Sequence, residues 1–139
     1  MPDPAFILDP RLDDDTFAVG ELTLSTVRLM DDARFPWLIL VPKRAGLADL
    51  VDLSDADAVT MNAEIRQASR VLRELTSPYK LNVAALGNAV RQLHVHVIAR
   101  FEDDPAWPKP VWGIGAAASY DPATADTLIT RLRAGFGLA

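Results

Sequence analysis

The segment Ser54–Leu75 constrains the fold most, because it is a long stretch of helical periodicity set among strand patterns. Ala58, Met61, Ile65, Ala68, Leu72 and Leu75 recur at three- and four-residue steps and form one apolar stripe. Ser54 with Asp57 resembles a capping box, and Asp55 and Asp57 favour the positive helix end. Thr76-Ser77-Pro78 stops the helix, since the residue before a proline resists the helical region. Such a stripe packs on a sheet by default; docking to a partner helix is the alternative.

The strands lie on both sides of it. Phe17–Met30 reads as extended chain interrupted by one turn, with Leu22, Leu24, Thr26, Arg28 and Met30 alternating against their neighbours. Asp31-Asp32-Ala33-Arg34 is a polar turn, and the almost wholly apolar Trp37–Val41 follows, ended by Pro42. Two strands joined by a short polar loop predict an antiparallel hairpin. Tyr79–Leu86 is extended, Gly87-Asn88 turns, and Leu93–Arg100 alternates strictly. Phe101–Pro110 is an acidic, proline-rich loop. Asp121-Pro122 opens a short terminal helix through Ala134, with Gly135 at its stop. These patterns predict one α+β domain over 1–139: a mostly antiparallel sheet of about five strands, one long helix and a short C-terminal helix.

Composition narrows the chemistry. Fourteen Lys and Arg against nineteen Asp and Glu leave a formal charge of −5. That surface repels a phosphate backbone, so a general nucleic-acid binder is not expected, although a pocket with local donors can still hold a small anion. No cysteine is present, which removes disulfides, thiolate nucleophiles and cysteine-held metals and is compatible with a cytoplasmic home. The first residues carry no secretory pattern, and the longest apolar run, Trp37–Pro42, is too short to cross a bilayer, so no membrane partner is expected.

The two histidines of the chain, His94 and His96, stand two apart and share one strand face. Leu93, Val95, Val97 and Ala99 point the other way, so the sheet is expected to pack helices on one face and display the imidazoles on the other. The plainest reading is two surface histidines without a role. As metal ligands they would need a third partner, for which Glu102 and Asp103 are nearest in sequence. With Gly87 and Glu102 they echo a cupin motif, but the long helix contradicts that all-β fold. As a nucleophile toward phosphorus, a neutral imidazole would form a phosphoramidate while its neighbour holds an oxygen.

Gln92-Leu93-His94-Val95-His96-Val97-Ile98 resembles the histidine triad (HIT) motif, His-φ-His-φ-His-φ-φ with φ apolar, with Gln in the first position. Gly87-Asn88-Ala89-Val90-Arg91 is similar to the segment before that motif, and Leu38–Lys43 to the family's earlier strand. Trp107-Pro108 is similar to a Trp-Pro found after it in one branch. The resemblance covers about Phe17 to Trp112.

It implies a homodimeric nucleotide hydrolase or transferase acting at the α-phosphate of a purine nucleoside phosphoramidate or (di)nucleoside polyphosphate. No cofactor and no metal are implied. His94 would be the nucleophile, His96 a donor to a phosphate oxygen, and Gln92 a hydrogen-bonding residue behind them. Asn88 would lie near the phosphate, and Asp31, with Asp32 its rival, on the ribose hydroxyls. The family usually has a histidine where this chain has Trp37. A nucleotide-binding or sensing protein with little turnover is the alternative implied by that change and by Gln92.

Of the remaining residues, Asn82 is placed to point into the pocket from the neighbouring strand. Arg91, Lys43 and Arg44 read as solvated, as do the acidic clusters Asp13–Asp15 and Asp103–Asp104. Trp107 and Trp112 either cover a neighbouring subunit's site or pack on the sheet.

Overall fold

The computed structural model describes residues 3–138. Helix α1 (Pro10–Asp15) leads into β1 (Thr16–Glu21), β2 (Ser25–Met30) and β3 (Trp37–Pro42). A 3-10 turn at Leu50–Asp52 precedes α2 (Asp55–Thr76), β4 (Lys80–Ala84), β5 (Val95–Arg100) and α3 (Pro122–Gly135). The five strands form one sheet in the order β1-β2-β3-β5-β4, every pair antiparallel. This is the expected α+β architecture. The chain leaves β3, crosses through α2 to the edge strand β4, and returns along β5 inside the sheet.

Local chemistry sets the helix ends. Ser54 caps α2 by accepting from the Asp57 amide, and Ser77 ends it in the left-handed region at φ 49°. Asp121 caps α3 with Pro122 in the first turn. The same Asp-Pro pairing, Asp9 with Pro10, opens α1, a six-residue helix too short to show a periodic apolar pattern. Gly135 is the last residue of α3, which ends one position beyond the expected Ala134. A Cβ there would meet Val71 Cγ1 at 2.8 Å, so glycine is what lets α3 close onto α2.

One face of the sheet buries Val27, Leu29, Leu38, Leu40, Val95 and Val97 against Met61, Ala68 and Leu72 of α2 and Leu132 of α3. A fully buried aliphatic of this kind contributes roughly 1.5–3 kcal/mol. The stripe departs from the expected one at two points. Ala58 is exposed, and Glu64 is buried, its carboxylate accepting from the Leu24 and Ser25 amides at 2.8 and 2.9 Å.

The opposite face was expected to stand open, and it does not. Trp37, Ile39, Val41 and Ile98 are covered there by Leu12 of α1, by Ala106 and Val111, and by the partly buried Phe6, Leu8, Trp112 and Ile114. Every residue of β3 and β5 is buried. A wholly apolar strand needs cover on both sides, and the segments flanking the sheet supply it. Among the described residues no helix is long and apolar enough to cross a membrane.

Candidate active site

The covered face carries both histidines, and cross-strand pairing fixes their neighbours. His96 lies opposite Ile39 on β3 and opposite Ala84 on β4. His94 precedes the first residue of β5 by one position. The imidazoles stand edge to face with centroids 4.9 Å apart, and they are buried at 5% and 3% exposure instead of displayed.

Each ring has a defined hydrogen-bond partner. His94 Nδ1 lies 2.6 Å from the Gln92 carbonyl oxygen. A carbonyl only accepts, so the neutral ring carries its hydrogen on Nδ1 and its lone pair on Nε2. The loop ahead of β5 closes over this ring at Gly87, where a Cβ would sit 2.7 Å from His94 Cε1 and 2.5 Å from the Val90 carbonyl oxygen. Only glycine fits that approach.

His96 is held from both sides. The Trp37 indole Nε1 donates to its Nδ1 at 3.0 Å, and its Nε2 donates to the Leu86 carbonyl oxygen at 2.8 Å. Burial pushes the ring down to about 4, helped by His94 and opposed by the Leu86 bond, so His96 is neutral at neutral pH. Trp112 completes its surroundings, 5.0 Å away edge to face.

Trp37 and Trp112 also line a cavity of about 430 Å³, together with Asp14, Asp31, Asp32 and Ile114. His96, against both indoles, therefore sits behind one wall of a cavity whose volume suits a small ligand, and neither imidazole lines it directly. The rival carboxylates differ in what they have left to offer. Asp32 is buried and spends both oxygens on Arg34, with further bonds from the Arg34 and Ala118 amides. Burial works to raise its carboxyl, but those bonds hold it below the usual carboxylate value. Asp31 is half-buried, and its Oδ1 accepts from the Tyr120 amide at 2.8 Å.

Other expected residues lie elsewhere. The Gln92 carboxamide turns away to the N-terminal segment, accepting from the Asp9 amide at 2.9 Å and donating to the Ile7 carbonyl at 2.8 Å. Asn88 is exposed on the loop between β4 and β5. Asn82 accepts from Arg100 at 2.8 Å, inside a separate network. In that network the fully buried Arg100 pairs with Asp104 through two bonds, donates to the Lys109 carbonyl and lies over Phe35 and Trp107.

Asp104 is thus a buried anchor of the loop that carries Trp112, not a solvated charge. Asp13, Asp14 and Asp15 are exposed as expected, Asp13 reaching Arg28 at 2.8 Å, while Arg44 pairs with Asp57 at 2.8 Å. Trp112 packs on the covered sheet face of this chain. Among the described residues no three or more His, Cys, Asp or Glu side chains gather as a metal ligand set. Sequence reasoning missed two partnerships, Trp37 with His96 and Gln92 with the N-terminal segment. Both join residues far apart in the chain.

The chain is similar to known proteins in sequence and in fold. Residues 11–103 match the model of the HIT domain family. A crystal structure of a histidine triad protein from Bradyrhizobium japonicum is 44% identical, with a TM-score of 0.93 over 96% of this chain and 99% of that one. A histidine triad protein from Sinorhizobium meliloti is also 44% identical, with a TM-score of 0.92 over 94% and 97% of the two chains. A protein of Mycobacterium tuberculosis named AP-4-A phosphorylase is 30% identical over 108 residues, covering 68% of this chain and 52% of its own length. The chain thus spans about half the length of that curated relative.

Proposed function

The chain belongs to the HIT domain family, and from that premise we propose that it breaks the α-phosphate bond of a purine nucleotide through a nucleotidyl-His94 intermediate. The observation that carries this reading is the Gln92 carbonyl on His94 Nδ1, which leaves Nε2 as the attacking lone pair. Nε2 forms a bond to the α-phosphorus as the bond to the leaving group breaks, and the departing atom keeps the electron pair. Water or another acceptor then displaces His94 from phosphorus.

His96 Nε2–H exchanges the Leu86 carbonyl for a non-bridging oxygen. The Asn88 loop borders the phosphates. Asp31, with one oxygen bonded to Tyr120, receives the ribose hydroxyls, while the nucleoside rests against the indoles of Trp37 and Trp112. Gln92 contributes through its backbone carbonyl and as a clamp on the N-terminal segment. Asn82 steadies the wall through Arg100.

The chain acts as a homodimer in this reading. Edge strand β4 and the loops at its ends expose Tyr79, Val83 and Leu86, apolar surface suited to a second copy. A nucleotide sensor with little turnover is the second reading, and the engagement of both His96 nitrogens favours it.

The test compares wild type with His94→Ala on adenosine phosphoramidate and a dinucleoside polyphosphate, with and without EDTA. Turnover is expected to resist the chelator and to fall on the order of 10³-fold or more in the variant. Quenched wild type should carry a nucleoside monophosphate on His94. Nucleotide binding without turnover or adduct would instead make the protein a sensor.

A further inference from the structure

We propose that Trp37 is a positioning residue that locks His96 as a neutral donor through Nε2 alone, and that this lock selects leaving groups that depart as anions. The inference rests on the nucleotidyl-transfer reading and narrows it to phosphoanhydride substrates such as dinucleoside polyphosphates.

The two bonds on His96 determine its hydrogen independently. An indole N–H can only donate, so Nδ1 must accept from Trp37. A carbonyl oxygen can only accept, so Nε2 must donate to Leu86. Both ends require the same tautomer. A second proton on Nδ1 would face the indole N–H and break that bond. The ring lies against the Trp37 and Trp112 indoles at 5.6 and 5.0 Å, and the titratable group beside it is His94. No carboxylate is among these contacts to stabilise an imidazolium.

A neutral imidazole gives a hydrogen bond but does not release its last proton near neutral pH. When the bond from phosphorus to a phosphoanhydride oxygen breaks, the pair stays on a phosphate oxygen that is stable as an anion, and no proton is needed. When a phosphorus–nitrogen bond to an amine breaks, the nitrogen must take up a proton as it leaves, and His96, on its non-bridging oxygen, could pass one across only as the imidazolium that the Trp37 bond opposes. At this position the indole differs from any side chain able to accept, because it forbids the imidazolium that could serve an amine.

Two measurements test the lock. In nitrogen-15 spectra of the intact wild type at neutral pH, His96 Nδ1 is expected to be unprotonated, Nε2 protonated, and the indole Nε1 coupled across the hydrogen bond to Nδ1. Wild-type kcat/KM is expected to favour a dinucleoside polyphosphate over an adenosine alkylphosphoramidate. Trp37→Phe removes the N–H that opposes a proton on Nδ1 but keeps the ring buried, and Trp37→His faces it with a ring that can accept. The second variant should shift the ratio toward the phosphoramidate by about tenfold and the first by less. The second variant serves if the first does not fold.

A proton on Nδ1 in the wild type, or a ratio that neither variant moves, overturns the proposal. A wild type that turns over neither substrate overturns the nucleotidyl-transfer reading instead, and the ring spectrum then decides the lock by itself.

Discussion

One carbonyl oxygen, two residues upstream, decides which nitrogen of His94 can attack. The Gln92 backbone supplies it, and the Gln92 side chain is committed elsewhere, holding Ile7 and Asp9 over the covered face. The two functions of that residue are therefore separable. Gln92→Leu keeps the backbone bond to His94 and removes two hydrogen bonds to the N-terminal segment. It should cost roughly 1–2 kcal/mol and speed amide exchange over residues 3–12, with kcat changed less than about threefold. A loss of kcat comparable to that of His94→Ala would assign the Gln92 side chain to the chemistry instead. The identity of this residue was legible in the sequence. The direction of its side chain was not, because its partners lie more than 80 positions away.

Among the elements, α2 does more than lay a stripe on the sheet. Its buried Glu64 satisfies two amides where β2 begins, and so ties the helix to the turn between β1 and β2. Truncation by Glu64→Ala would leave both donors buried without partners, an expected cost of roughly 2–4 kcal/mol, read from urea midpoints. Glu64→Gln retains one acceptor and should cost less. Helical periodicity found α2 because apolar residues announce a buried face, but a glutamate on that face carries no such mark. The same limit applied to β3. Its second face was expected to stand open, and nothing local indicated that the N-terminal segment and the loop bearing Trp112 would cover it.

For the molecule as a whole, two buried titrating groups predict a stability that falls with acid. His96 is near 4 in the fold against 6.5 unfolded, so the unfolded chain takes up its proton first. Its contribution is complete above about 6.5 and is lost as pH falls toward 4, roughly 3 kcal/mol in all. Burial tends to raise Asp104, but bonds from Arg100 and the loop amides hold it at about 2 against 3.8 unfolded. Its contribution, roughly 2 kcal/mol, disappears between about 4 and 2. Chemical denaturation at pH 7, 5 and 4 should show the first decline. A flat stability across that range would mean that His96 is not held neutral by the fold.

What the sequence determined by itself is what neighbouring residues decide among themselves. Caps at Ser54 and Asp121, apolar periods of two and of three to four, and the motif around His94 and His96 all express hydrogen bonding and burial within a few positions of chain. Tertiary structure decided the rest: the indole of Trp37 on His96, Gln92 on the N-terminal segment, Arg100 between Asn82 and Asp104, and the burial of both imidazoles. Those pairings depend on strand register and on where the crossover through α2 returns the chain. They are set by the packing of the whole domain and leave no local pattern to read.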